Sequence, residues 1–446
     1  MGTLINSAPG RWRLTFAATG LRVYCSGLGT GSNQAAYLTG NAGVILGAVF
    51  PGVGSGDDIP RRARFDDVAT EKIIDSGGRE LTERYWGRYV AFLSDPRDGS
   101  ARVLRSPTGE LDCLVMQIEG VRIFFSDTEG CPLPQGWRLS VDWDFVAAEL
   151  TTLMAENRRT GLRELQRVLH GECLVIESGV IDRKQYWHPF RFVAEAPIEN
   201  VASAARELHR VTRACIGAWA SCHESALALL SGGLDSSIVV GLLGSLPARP
   251  ALTCVNYRNP YDRVADEREY ARRVADQAGL PLIEREQGAD LDADRLLLPP
   301  GQMPSCEPGF AYPGDGWQSE LARARQATAC ITGHGGDQLF FENGACYVCA
   351  DFIHTHGLRP RMMSVAMEAA RMEGGVFWEA LRRGLQDGMG DDPLRPVIGQ
   401  YFFSPLVRSE VVESVRRQRL FLPGWFETEA AIPPGKCWQI IGLSVH

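Results

Sequence analysis

The stretch Leu227-Ala-Leu-Leu-Ser-Gly-Gly-Leu-Asp-Ser-Ser237 constrains this chain more than any other. Four apolar residues, Leu227 to Leu230, run into Ser231-Gly-Gly233, and Leu234-Asp-Ser-Ser237 opens onto an apolar run from Ile238 to Leu243. This is the pattern of a buried strand, a tight glycine turn and a helix start. Gly232 and Gly233 let backbone N–H groups approach an anion, and the helix start adds unpaired N–H groups and the positive end of its dipole. Ser231, Ser236 and Ser237 supply hydroxyls. Asp235 is the odd member. A carboxylate beside a phosphate is repulsive unless a cation lies between them, which points to magnesium. No Gly-Lys-Ser/Thr follows at the spacing of a P-loop, so the kinase and GTPase type of phosphate loop is excluded.

Composition narrows the partners. A chain of 446 residues with net charge −8 predicts two or three domains and no basic face, which argues against nucleic acid. No apolar run is long enough to span a bilayer, and Met1-Gly-Thr-Leu-Ile5 lacks the features of a signal peptide. A cytoplasmic protein with no membrane partner is expected. Twelve cysteines without a framework pattern predict reduced thiols. Cys346-Tyr-Val-Cys349 lacks the second pair that a zinc site needs.

Residues 1–190 read as β-rich, with runs at Leu21–Tyr24, Gly43–Phe50, Tyr89–Leu93, Ala101–Leu104, Cys113–Ile118, Arg122–Phe125 and Cys173–Glu177. Asp95-Pro-Arg-Asp-Gly99 reads as a hairpin turn, and Val141–Asn157 as a helix with Asp142 or Asp144 near its start. The texture changes after Trp187-His-Pro-Phe190. A helix is predicted at Ile198–Ala218, then the Leu227 strand, the Ile238 helix, a strand at Ala251–Tyr257, a helix at Asp266–Ala278 and a strand at Leu282–Glu284. Pro299-Pro-Gly301 and Pro308–Gly316 read as loops. Alternating strands and helices favour a parallel, doubly wound α/β sheet over residues 195–446, with ligands at the carboxyl ends of its strands.

Thr328–Thr332 predicts another short strand, leading into Gly333-His-Gly-Gly-Asp337. Two glycine turns on neighbouring strands would put Asp235 and Asp337 on one magnesium ion. Asp266-Glu267 opens a helix, where acids favour the dipole as readily as they serve a site; both readings stay open.

Taken in order, Ser231-Gly-Gly-Leu-Asp-Ser236, Asp266-Glu267 and Gly333-His-Gly-Gly-Asp337 resemble the ATP pyrophosphatase-type synthetase domain of the asparagine synthetase superfamily. Tyr85-Trp-Gly-Arg-Tyr-Val-Ala-Phe92, Val103-Leu-Arg-Ser-Pro-Thr-Gly109, Phe124-Phe-Ser-Asp127 and Gln185-Tyr-Trp187 are similar to its glutaminase-type domain, which implies an N-terminal-nucleophile (Ntn) hydrolase-like β-sandwich before the parallel sheet. A working glutaminase of this kind needs an N-terminal cysteine. Position 2 is Gly2, and Cys25 is internal, so residues 1–190 are expected not to hydrolyse glutamine.

Among relatives without that cysteine, the chain looks most like lasso peptide macrolactam synthetases, through Tyr85-Trp-Gly-Arg-Tyr89, Arg105-Ser-Pro-Thr-Gly109, Pro433-Pro-Gly-Lys436 and Trp438-Gln-Ile-Ile441. The resemblance implies ATP and Mg2+ as cofactors, with ATP contacts at Ser231, Gly232, Gly233, Asp235, Ser236, Ser237, Val255 and Gly333. It implies metal ligands Asp235 and Asp337, and adenylation of a precursor peptide's Asp or Glu carboxylate. The peptide's N-terminal amine then attacks, and AMP and pyrophosphate are released. His334 is the candidate base, with Glu368 or Glu373 as its partner; a loop histidine is the alternative. Lys436 is the candidate lysine for the adenylate, or a solvated turn residue. The family's usual basic stretch is absent, so the chain is expected to be incomplete at its C-terminus or to have lost that lysine. A ribosomal precursor peptide, a leader-peptide protease and a leader-recognition protein are the implied partners. A small-molecule amide ligase, such as a β-lactam or asparagine synthetase, and a non-catalytic ATP- or peptide-binding scaffold are the rivals.

Overall fold

A computed structural model describes residues 12–29, 31–54, 56, 58–126, 138–152, 157–177, 179–192, 198, 200–258, 266–286, 315–336, 339, 345–390, 394, 407–419, 422, 426 and 432–442. It is a mixed α/β molecule, antiparallel in its N-terminal part and parallel in its C-terminal part.

The N-terminal strands are β1 (Arg13–Ala18), β2 (Leu21–Cys25), β3 (Ala35–Leu38), β4 (Gly43–Pro51), β5 (Tyr85–Ser94), β6 (Ala101–Arg105), β7 (Leu114–Ile118), β8 (Val121–Phe125), β9 (Gln166–Arg167), β10 (Glu172–Glu177) and β11 (Val180–Gln185). A six-stranded sheet runs β11-β10-β6-β5-β4-β3. One of its faces joins Val90, Val103 and Leu174 to Cys113, just before β7, and to Val115 of the three-stranded sheet β8-β7-β9. The other face packs Ile45, Tyr89 and Leu104 against Ile73, Ile74 and Leu81 of two short helices, α1 (Asp67–Asp75) and α2 (Arg79–Arg84). Helix α1 starts where the Asp66 carboxylate accepts the Ala69 N–H. The Asp95–Gly99 hairpin forms as expected, with Asp95 holding Arg97 through backbone and guanidinium.

The expected Val141–Asn157 helix is shorter. Helix α3 spans Trp143–Thr151, capped by Asp142. It stops because Thr152 is extended, at φ −148°, and the Thr151 hydroxyl turns back to the Ala147 carbonyl.

The C-terminal part begins with α4 (Val201–Ala220), three residues later than its apolar pattern suggests, because Asn200 caps Ser203. Strands β12 (Ser225–Leu229), β13 (Ala251–Arg258), β14 (Leu282–Glu286) and β15 (Cys330–Ile331) form an all-parallel sheet of order β14-β13-β12-β15. Helices α5 (Leu234–Ser245) and α6 (Arg268–Ala278) alternate with them. The core joins Ala226, Ala228 and Leu230 of the β12 segment to Val240 and Leu243 of α5 and to Ala271 and Ala275 of α6.

Helix α7 (Asp315–Ala324) takes the last two residues of the expected 308–316 loop; the rest of that loop and Pro299-Pro-Gly301 lie outside the described residues. Further helices follow: α8 (Ala345–His356), α9 (Met362–Met372), α10 (Phe377–Gly388), α11 (Ser409–Gln418) and α12 (Pro434–Gly442). Cys349 of the C-x-x-C pair is buried in α8 against Gly384 of α10. Among the described residues no group of three or more His, Cys, Asp or Glu is placed to hold a metal ion, and no helix is long and apolar enough to cross a membrane. The two parts meet at an aromatic seam, where Phe50 and Trp86 pack on Trp219 of α4.

Candidate active site

Three chain segments leave the carboxyl ends of three adjacent strands and converge. The first is the turn after β12. Gly232, at φ +110°, takes a backbone conformation that a side chain would oppose. The turn is held from inside. Ser231 Oγ accepts the Gly233 N–H at 3.2 Å and lies 2.9 Å from Ser236 Oγ; the Ser237 hydroxyl donates to the Gly233 carbonyl at 2.7 Å. Ser236 and Ser237 thus brace the helix start as well as offering oxygens. Gly233 stands at the N-cap of α5 without a side-chain cap, and Asp235 lies in the first turn.

The second segment is the turn after β15. It packs directly on the first. A methyl group placed on Gly333 would lie 2.5 Å from Ser236 N and 2.8 Å from the Asp235 carbonyl carbon. One placed on Gly336 would collide with the Asp235 carboxylate. Glycine at both positions is what lets the Asp235 carboxylate lie between the two turns. His334 sits on this turn, exposed, with its N–H donating to Thr332 Oγ1. Asp337, the second expected metal ligand, lies outside the described residues; it follows Gly336 in the chain.

The third segment, Asp266-Glu267, precedes α6, the helix between β13 and β14. The two acids differ in their contacts. Asp266 grips Arg268 with both oxygens at 2.8 Å, and those hydrogen bonds hold its carboxyl down at about 2. Glu267 occupies the N-cap position of α6 but makes no side-chain cap bond. Instead its backbone lies against Gly232, and its Oε2 would be 3.5 Å from a methyl placed on Gly233.

Asn256, on β13 beside Val255, was not singled out from the sequence. It is 2% exposed, and its amide donates to the carbonyls of Leu230 at 2.7 Å and Ser231 at 3.0 Å. It anchors the strand end that launches the turn. Its Oδ1 is buried without a hydrogen-bond partner among the described residues. Its signal is an amide side chain next to Val255 inside a strand whose neighbours are buried. Val255 is itself buried, and its carbonyl accepts the Leu230 N–H.

Lys436 is exposed on α12, whose start is tied to α8 by Asp351. The Asp351 carboxylate accepts the Gly435 N–H at 2.6 Å, and burial pushes its carboxyl above the usual range. One turn on, Gln439 donates to the Leu339 carbonyl at 3.5 Å, three residues past Gly336 in the chain. Glu368 is exposed on α9, and no described hydrogen bond or ion pair joins it to His334. Gly2 lies outside the described residues. Cys25 is buried in β2, where burial raises its thiol's pKa.

The cradle suits a polyphosphate and a cation. The start of α5 has no side-chain cap and so offers helix N–H groups to an anion, Asp235 supplies hard oxygen for a cation, and the glycines let the neighbouring turns close around it. A turn at the carboxyl end of a parallel strand is where open α/β sheets place their ligands. Residues 222–387 match the family model described as Asparagine synthase, from just before β12 into α10. The match supports the asparagine synthetase superfamily for this segment and, broadly, ATP-dependent amide ligation. No curated protein matches the chain.

Proposed function

We propose that this protein is an ATP-dependent carbon-nitrogen ligase that adenylates an Asp or Glu side chain of a ribosomal precursor peptide and closes a macrolactam, as a lasso peptide cyclase does. The observation that carries the reading is the packing of the two glycine turns on each other around the Asp235 carboxylate. In this account residues 195–446 form the ATP-binding part. Residues 1–190 form a glutaminase-like part that, with Gly2 in place of a cysteine, serves as a wall for the peptide.

ATP binds with its phosphates on Ser231–Ser237. Asp235 and Asp337 would hold Mg2+, which would neutralise phosphate charge. The backbone N–H groups of the turn orient the polyphosphate, so that the peptide carboxylate attacks the α-phosphorus and pyrophosphate leaves. The peptide's N-terminal amine then displaces AMP from the acyl-adenylate. The His334 imidazole, exposed on the second turn, takes the amine proton in this reading. Lys436, on the helix whose Gln439 reaches Leu339, supplies a positive charge to the departing AMP.

Pyrophosphate release screened against Asp- and Glu-containing peptides with free N-termini, and against free amino acids, tests this. Release with peptide alone supports the cyclase. Release with aspartate or another small acid alone points to a small-molecule amide ligase, and ATP binding without turnover points to a scaffold. A leader-peptide protease and a leader-recognition protein are the expected companions.

A further inference from the structure

We propose that Arg285, laid on the ring of Trp317, anchors a carboxylate of the substrate peptide other than the one that is adenylated. This inference rests on the peptide reading of the site.

Arg285 is the second-last residue of β14, the edge strand of the parallel sheet, and stands in register with Tyr257 near the end of β13. Side chains paired in this way share one face of the sheet. Trp317, near the start of α7, completes the group. Arg285 Cζ lies 4.4 Å from the centroid of the Trp317 ring. The Tyr257 and Trp317 rings meet in a T, with centroids 6.1 Å apart and planes at 80°. Gln318 ties the group down. Its Oε1 accepts the Tyr257 hydroxyl at 3.0 Å, and its Nε2 donates to Cys330 Sγ of β15 at 3.2 Å. The platform is thus fastened to the strands on both sides of β12. Asn256, which holds the Ser231 carbonyl, immediately precedes Tyr257 in the chain.

The charges beside Arg285 are already spent. Glu284 takes Arg272 at 2.5 and 2.8 Å, and Glu286 takes Arg258 at 3.0 Å. Arg285 lies between these two acids, is exposed, and makes no hydrogen bond or ion pair among the described residues. Stacking on an indole uses the face of a guanidinium and leaves its five in-plane N–H donors available. A fork held in this way matches a carboxylate with two parallel hydrogen bonds. It stands at the carboxyl end of the sheet, where such sheets place ligands. It is also two strand spacings, about 10 Å, from β12 and its phosphate turn. A carboxylate clamped there cannot reach the α-phosphorus, so the acid it holds is a second one. Charged side chains also guard exposed sheet edges. A residue with that task alone changes stability or solubility, not the KM for one substrate.

The test measures steady-state pyrophosphate release by the full-length protein, with ATP and a synthetic peptide that has a free N-terminus, a cyclisable Asp, a second acidic side chain and a free C-terminus. Two further peptides neutralise one carboxylate each, the second side chain or the C-terminus, as its amide. In Arg285→Gln the KM for the intact peptide should rise about tenfold, with kcat and the KM for ATP within about twofold of wild type. Arg285→Lys should recover part of the loss, Trp317→Leu should raise the peptide KM several-fold, and Arg272→Gln should leave it unchanged. One of the two neutralised peptides should raise the wild-type KM by a similar factor and leave the Arg285→Gln KM where it is, which tells side chain from C-terminus. A thermal melt accompanies each variant, and Arg285→Lys repeats the comparison should Arg285→Gln melt early. A peptide KM within twofold of wild type, a raised KM for ATP instead, or equal penalties from the neutralised peptides in wild type and variant each overturns the inference and leaves the ligase reading standing. Wild-type protein that releases pyrophosphate with no peptide overturns the peptide reading, and this inference with it.

Discussion

Gly333→Ala isolates the contact between the two turns. Gly333 does not have a positive φ, so an alanine there meets no intrinsic backbone strain. The added methyl would sit 2.5 Å from Ser236 N and 2.8 Å from Ser236 Cα, whereas ordinary contact begins at 3.4 Å. These are backbone atoms at the start of α5 and cannot rotate away. The turns must part by about 1 Å, which for overpacking of this kind costs about 1–3 kcal/mol of stability. Misplacing reacting groups by that distance costs about a hundredfold in rate, or about 2.7 kcal/mol of transition-state stabilisation. Pyrophosphate release should therefore fall about a hundredfold in kcat/KM while the melting temperature drops by a few degrees. Gly241→Ala is the control. That glycine is exposed within α5, with nothing within 4 Å of a new methyl, and the change should stabilise the fold by about 0.5–1 kcal/mol without touching the rate. Gly333→Ala protein with wild-type kcat/KM would refute the claim that the turns must touch.

Other perturbations read out separate parts of the account. Asp235→Asn should abolish ATP-dependent pyrophosphate release at any peptide concentration, with the melting temperature little changed. Asp351→Ala should cost about 1–2 kcal/mol by uncapping α12, seen as a lower urea midpoint, and should lower kcat through the displaced Lys436. Lys436→Met should lower kcat and leave the KM for ATP alone. Glu149, on α3, titrates at about 7, because burial raises it more than Arg167 lowers it, and its Oε1 is unpartnered among the described residues. A folded value above the unfolded one of about 4.5 means stability that is full below about pH 4.5 and lost as pH rises through about 7. Glu149→Gln should therefore be more stable than wild type at pH 8, by about 1 kcal/mol after allowance for solvent screening, and near-equal at pH 4 in urea titrations.

The parts of the fold legible in the sequence are those where burial writes a period or a run. Strand β12 and its turn were readable because an apolar run stops at two glycines, and β4, β5 and β10 because apolar residues cluster between turn residues. Helices α1 and α2 escaped notice because only Ile73, Ile74 and Leu81 mark their buried apolar sides, too few for a clear period. The early end of α3 is set by one extended threonine, and the late start of α4 by one asparagine cap, which are local hydrogen-bonding choices invisible to hydropathy. At the site, the glycine turns announced themselves, but their mutual contact is tertiary. The split between Asp266 and Glu267 depends on which acid Arg268 reaches. Asn256 works through carbonyls 25 and 26 residues away.

The most direct measurement is the product analysis of ATP consumed with a cyclisable peptide. The account predicts AMP and pyrophosphate in equal amounts, matched by a peptide that has lost one water. ADP and orthophosphate, or peptide dehydration without nucleotide cleavage, would contradict it.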